Sequence, residues 1–224
     1  MSALFSLRDC GMRYNGAEVL RRVTLEFGEA QMAAVAGPNG AGKSTLLAIM
    51  AGLRPNHEGR CLYRGRPVRS WPRRAFAREV AFVPQNVRVE FPFTAEQVVL
   101  MGRTPYCDGL FESPEDRAAV EAAMSATDTL PFRGRDFRSL SGGEQQRVIL
   151  ASVLAQSPHV LLADEPATFL DLRHQVAIYS LLRGLARRGV LVVAATHDLN
   201  LAAAYADRLI VLRRGELLHD APPQ

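Results

Sequence analysis

A chain of 224 residues with 48% hydrophobic content is long enough for one large α/β domain with an inserted subdomain, and its composition carries no signature of disorder. No apolar run approaches the roughly 18–20 residues that cross a bilayer, and the first residues lack the basic start, apolar stretch and small-residue cleavage site of a secretory leader. Cys10, Cys61 and Cys107 form no C-x-x-C pair and read as reduced cytosolic thiols, and a formal charge of +4 is too mild to argue for nucleic acid.

Residues 4–9 and 23–27 read as strands, with Tyr14 in the turn-prone segment between them. Tyr14 fits a ring that stacks on a base and an ordinary half-buried aromatic equally well. Residues 31–36 read as a short buried strand, and a helix follows over 45–51. Between them stands Gly37-Pro38-Asn39-Gly40-Ala41-Gly42-Lys43-Ser44-Thr45, which fits the phosphate-binding pattern G-x-x-x-x-G-K-[ST] in the strand–loop–helix context the pattern requires. Backbone N–H groups of such a loop converge on an anion, and the helix adds its positive end. Lys43 brings a compact ammonium to the β- and γ-phosphates, and the Ser44 hydroxyl is placed for Mg²⁺. Lys43 is also the only lysine in the chain; every other strong base is arginine, whose planar guanidinium is too bulky for a phosphate nest. The loop predicts a nucleoside triphosphate.

Residues 61–63 predict a short strand. Arg64, Arg66, Arg69, Arg73, Arg74 and Arg78 follow; they read as a solvated face, with lipid headgroups or nucleic acid as the sharper alternative. A strand over 80–84 ends at Gln85. Residues 86–140 then change character, with helical patterns over 94–102 and 114–127, the second capped by Ser113 before Pro114 and Asp116, and a polar loop over 131–138. Leu140-Ser141-Gly142-Gly143-Glu144-Gln145 opens an apolar helix reaching about residue 156. Ser141 is its natural N-cap, and the paired glycines bare the first N–H groups as a second anion site. Residues 160–164 form a hydrophobic strand that delivers Asp164 and Glu165 to its C-terminal end, where ligands of α/β sheets bind. Asp164 suits a metal's water shell and Glu165 a proton acceptor from an attacking water. Residues 191–195 repeat the arrangement and deliver Thr196, His197 and Asp198; a helix over 199–206 and strands over 209–212 and 216–219 complete the core.

Together these residues resemble the ATP-hydrolysing subunit of ABC transporters over essentially the whole chain. The Gly37 loop is similar to Walker A, residues 160–165 to Walker B and residues 140–145 to the family signature. Gln85, Asp171 and His197 stand at the Q-loop, D-loop and H-loop positions, and Tyr14 at the adenine-stacking position. The resemblance implies an α/β fold: a P-loop NTPase (RecA-like) core with an N-terminal antiparallel β subdomain and an inserted α-helical subdomain. It implies one ABC ATPase domain over 1–224, with 1–85 and 158–224 as nucleotide-binding core and 86–157 as helical subdomain including the signature. It implies ATP and Mg²⁺, with nucleotide contacts from Tyr14, Gly37, Asn39, Gly40, Gly42, Lys43, Ser44 and Thr45, and metal contacts from Ser44, Gln85 and Asp164. Catalysis falls to Glu165 as general base, His197 as γ-phosphate contact and Gln85 as a metal or water ligand that senses the membrane partner.

The same likeness accounts for two anion sites on one chain. Two copies pair head to tail, so that Ser141, Gly142, Gly143 and Asp171 of one face the nucleotide on Lys43 of the other. Implied partners are integral membrane permease subunits and, indirectly, an extracytoplasmic substrate-binding protein, with no nucleic acid and a peripheral place on the cytoplasmic face of the inner membrane. Residues 100–106, 168–175 and 197–203 further resemble importers of iron–siderophore, haem and cobalamin. Three departures stand out: Ala167 where Thr or Ser is usual, Glu144 where that branch has Gln, and an end at Gln224 where relatives run on for a few dozen residues, which points to a shortened tail. Other ABC importers or exporters, and a soluble ABC ATPase acting on nucleic acid, are the alternatives.

Overall fold

A strand that is apolar on both sides must be covered on both faces. Three such strands, β3 (Met32–Ala36), β7 (Val160–Asp164) and β8 (Leu191–Thr196), have every side chain buried. The computed structural model describes residues 3–87, 89–107, 112–168 and 170–223. In it these strands join β6 (Val80–Val83), β9 (Arg208–Arg213) and β10 (Glu216–Ala221) in a sheet of order β10-β9-β3-β8-β7-β6. The pairs β3–β9, β3–β8, β8–β7 and β7–β6 are parallel, and β10 closes the edge antiparallel to β9. Alternation along the strands divides the core in two. Ala33, Val35, Leu162 and Val193 face helix α1 (Lys43–Met50) and the aromatic residues Phe5 and Phe27. Met32, Ala34, Leu161, Ala163, Val192 and Ala194 face the helices on the other side.

Phe5 and Phe27 belong to a second, antiparallel sheet of order β2-β1-β4-β5, made of β1 (Phe5–Tyr14), β2 (Ala17–Phe27), β4 (Glu58–Tyr63) and β5 (Arg66–Pro67). Its first two strands run well beyond the expected 4–9 and 23–27. They meet in a two-residue hairpin at Asn15 and Gly16, whose φ values of 48° and 82° suit a type I′ turn. Tyr14 therefore ends a strand rather than lying in a loop. Register shifts between Leu7 and Arg13, together with positive φ at Asp9 and Arg22, break the period-two alternation that sequence reading depends on.

Between β6 and β7 lie α3 (Ala95–Leu100), α4 (Pro114–Ala126) and α5 (Gly142–Ala155). Thr94, Ser113 and Ser141 each cap one of them, in reciprocal capping boxes with Gln97, Asp116 and Glu144. Two single 3₁₀ turns, Leu130–Phe132 and Phe137–Ser139, take up the two ends of the expected loop. Two helices had no counterpart in the sequence reading: α2 (Arg73–Glu79), within the arginine segment, and the 16-residue α6 (Leu172–Arg187). The second buries Ile178, Tyr179, Leu182, Leu185 and Ala186, a helical stripe against the sheet. The last helix, α7 (Leu199–Tyr205), precedes β9. Phe169, within the compared stretch 168–175, and Gln224 lie outside the described residues.

The arginine segment is tied into the protein. Arg74 and Arg78 donate to the Pro105 carbonyl at 2.9 and 2.8 Å, and Arg64 lies 3.4 Å from Glu79 and bonds Tyr63 Oη. Arg103 is buried; its Nε donates to Asp116 Oδ1 and its Nη1 to the Ala155 carbonyl, both at 2.8 Å, while its guanidinium sits 3.9 Å from the Tyr106 ring centroid. This arginine thus holds α4, α5 and the chain entering from α3 together. Replacing Arg103 with Met would leave the Asp116 carboxylate buried without its cation. The expected loss is roughly 3 kcal/mol, read as a shifted urea midpoint; a loss under about 1 kcal/mol, the worth of a surface pair, refutes the assignment.

Candidate functional site

The C-terminal ends of β3, β7 and β8 lie side by side, and each releases a loop on the same edge of the sheet. From β3 the chain turns through Gly37–Gly42 into α1. Gly42 occupies the N-cap position at φ 101°, where a Cβ would come 2.8 Å from the Val19 carbonyl, and no side chain caps the helix. Its first N–H groups therefore remain available to an anion. Lys43, 4% exposed, curls back over the loop: its Nζ donates to the Gly37 carbonyl at 2.8 Å and to Pro38 at 3.3 Å. Asn39, Gly40, Ser44, Thr45 and Val19 line a cavity of about 260 Å³ around it, shared with Gln85 and Glu165.

Glu165, at φ 50°, is anchored by its N–H to the Ala195 carbonyl at 3.1 Å. That turn swings its carboxylate over Lys43, with Oε1 at 3.6 Å from Nζ. The other oxygen, Oε2, meets three groups: Gln85 Nε2 at 3.1 Å, Thr168 Oγ1 at 2.9 Å and His197 Nδ1 at 3.3 Å. Gln85, His197, Glu165 and Lys43, distant in sequence, are thereby brought together. Thr168 is an addition. The bend closed by Thr168 N–H to the Glu165 carbonyl at 3.2 Å brings the hydroxyl back over the carboxylate. A hydroxyl three residues after Glu165 was visible in the sequence; the bend was not.

Asp164 is 5% exposed, and its Oδ1 has no hydrogen-bond partner. Burial pushes its carboxyl above the ordinary range; the Ser44 hydroxyl opposes the shift, the Glu165 charge adds to it and Lys43 opposes it. A buried, unpartnered carboxylate oxygen beside a hydroxyl is the donor set a magnesium ion takes when phosphate oxygens and water complete its shell, so the residues present fit Mg²⁺.

Tyr14 and the second anion site lie elsewhere. Tyr14 does not line the Lys43 cavity; its hydroxyl accepts from Arg54 Nε at 2.8 Å, and that guanidinium lies 5.7 Å from the ring centroid. Ser141 caps α5, with its N–H and hydroxyl both donating to Glu144 Oε2 at 2.7 and 2.9 Å. These contacts, the backbone one first, hold the Glu144 carboxyl below its usual range. Asp171 caps α6 through the His174 N–H at 2.9 Å. None of Ser141, Gly142, Gly143 and Asp171 lines the cavity at Lys43.

A family model described as ABC transporter matches residues 20–168. The chain is 48% identical over 208 residues to the hemin import ATP-binding protein HmuV of Streptomyces coelicolor, spanning 93% of this chain and 74% of that protein. It is 47% identical over 216 residues to the protein of the same name from Gloeobacter violaceus, spanning 93% and 78%. The fold matches that of an inward-facing ABC transporter of metal-chelate type with a TM-score of 0.86 at 26% identity, over 99% of this chain and 84% of that one. It also matches a dimeric ATP-binding cassette in a post-hydrolysis state bound to ADP and phosphate, with a TM-score of 0.87 at 28% identity, over 98% and 99%.

The burial of Asp164 makes a stability prediction. A carboxyl whose folded pKa lies above its unfolded one contributes most below the unfolded pKa, and that contribution is lost as pH rises through the folded value. At pH 8 the ionised side chain therefore weakens the fold. Asp164→Asn is expected to melt above the unsubstituted protein at pH 8 without nucleotide or magnesium, with the gap narrowing toward pH 4. Equal melting temperatures at pH 8 count against the desolvation argument.

Proposed function

The chain belongs to the ABC transporter family, as the ATP-hydrolysing subunit of an importer, and from that premise we propose that it powers uptake of a metal chelate, foremost haem, through a membrane permease dimer. The chelate reading is supported by relatives at 47–48% identity whose names specify hemin import and by the likeness to a metal-chelate type transporter. The site roles rest on one observation, the Glu165 carboxylate held against Lys43 by Gln85, Thr168 and His197.

In this reading the Gly37–Gly42 loop and Lys43 bind the triphosphate, with Asn39, Gly40, Gly42, Ser44 and Thr45 around it, and Tyr14 stacks on adenine. Ser44, Asp164 and Gln85 hold Mg²⁺, which when bound offsets phosphate charge. Glu165 accepts the proton of the water that attacks the γ-phosphorus, and the bond to the ADP oxygen breaks. Its Oε2 is engaged by three groups, whereas Oε1 has the Lys43 ammonium beside it, so Oε1 is the oxygen assigned to take the proton as that ammonium turns to the phosphates. His197 orients the carboxylate and contacts the γ-phosphate. Because Ser141, Gly142, Gly143 and Asp171 lie outside the Lys43 cavity, they are assigned to the nucleotide of a second copy arranged head to tail.

We also take residues 1–85 and 158–224 as the nucleotide-binding core and 86–157 as the helical subdomain. In support, β6 and β7 are adjacent parallel strands, so the chain between them is one excursion from the sheet. Gln85, at the start of that excursion, is where permease contact would be sensed. A substrate-binding protein delivers the chelate from outside, and this subunit sits peripherally on the cytoplasmic face of the membrane. No helix of the described residues is long and apolar enough to cross it. The engagement of Arg64, Arg74 and Arg78 within the protein weighs against a nucleic-acid-binding face there.

Glu165→Gln is expected to lower turnover about 10²–10⁴-fold with ATP affinity retained; near-normal turnover removes Glu165 as the base. The substrate is tested by reconstituting the subunit with its permease and binding protein in liposomes. Haem-loaded binding protein should stimulate ATP hydrolysis and be accompanied by haem entry. Stimulation by a ferric siderophore or cobalamin instead keeps the importer and overturns haem.

A further inference from the structure

The signature loop and the Asp171 turn are far apart in sequence, yet one side chain touches both. The His174 ring bonds Asp171 Oδ1 through Nδ1 at 2.7 Å, and the His174 backbone N–H reaches the same oxygen at 2.9 Å. The opposite edge of the ring lies on Gly143. A methyl group built there would come 2.9 Å from Cδ2, 3.2 Å from Cγ and 3.3 Å from Nε2. Gly143 has no positive φ, so its need for glycine here is the approach of this ring rather than its backbone conformation. Beside the ring, Arg147, Ile178 and Thr127 border a cavity of about 80 Å³. The ring is therefore not wedged in a close-packed core; Asp171 and Gly143 are its defining contacts, and its side chain is 41% exposed.

We propose that His174 is a positioning residue that couples the signature glycine Gly143 to Asp171, so that the two motifs facing a second copy move as one edge. This rests on the head-to-tail reading, in which both motifs serve the partner's nucleotide. A histidine this exposed contributes little to global stability. What its removal disturbs is the relative placement of Gly143 and Asp171, and hence assembly of the two-copy site, while nucleotide binding at Lys43 within one copy is untouched.

The test measures ATP turnover per subunit as a function of protein concentration, with single-copy nucleotide affinity and melting temperature alongside. His174→Ala is expected to raise the half-maximal protein concentration about 5–10-fold, the worth of one ordinary side-chain hydrogen bond, with affinity and melting temperature unchanged. Gly143→Ala should be defective when His174 is present and partly relieved when combined with His174→Ala, because the added methyl no longer meets the ring. An unaltered concentration dependence in His174→Ala, or the same Gly143→Ala penalty in both backgrounds, overturns the coupling. Turnover of the unsubstituted protein that is independent of concentration defeats the two-copy reading itself, and the coupling with it.

Discussion

One buried cation holds the site together. Asp164 and Glu165 are both carried out of water by a sheet covered on each face, and two adjacent carboxylates in that setting repel each other and lose hydration at once. Lys43, buried at the start of α1 and 3.6 Å from Glu165, is the charge set against them. It can reach there because β3 lies next to β8 and β8 next to β7, so the loop after one strand opens onto the carboxylates after another. The glycine-loop lysine and a carboxylate pair far along the chain are thus parts of one electrostatic unit, and the strand order is what makes it so.

The imbalance left over is chemically useful. Lys43 already has two loop carbonyls as well as Glu165, and Asp164 keeps an oxygen with no donor. Such an oxygen costs folding free energy, yet it is where a divalent cation gains most. The Glu165 carboxylate is treated in the opposite way, with three groups on one oxygen that fix its orientation. Two neighbouring acids therefore receive different surroundings and suit the different work proposed for them, holding a metal and accepting a proton.

Arginine does the mechanical work away from the site. Arg74 and Arg78 reach from α2 to the carbonyls of the segment after α3, and Arg103 spans Asp116 and the end of α5. A planar group with five donors can bridge several acceptors at fixed angles, which an ammonium cannot. This explains how a chain with a single lysine joins its helices to one another, and it ties α5, which Ser141 begins, to the same framework. Of the six arginines between 64 and 78, Arg74 and Arg78 serve in this scaffolding, and all but Arg78 remain exposed, as a solvated face requires.

Local chemistry made much of the protein legible before any coordinates. Apolar runs marked β3, β7 and β8, N-cap serines marked the starts of α4 and α5, and the glycine–lysine loop pointed to a phosphate site, because each depends on neighbours within a few residues. The full lengths of β1 and β2 were hidden by bulges that break alternation, and α6 by the absence of any element assigned after Asp171, although its buried stripe has helical spacing. Only the folded arrangement could reveal that Thr168 bends back onto Glu165, that Tyr14 lies against Arg54, or that His174 bridges Asp171 and Gly143. Those contacts depend on how turns and helices are placed against one another in space, and residue order along a chain constrains such distances only after the sheet has brought its strands side by side.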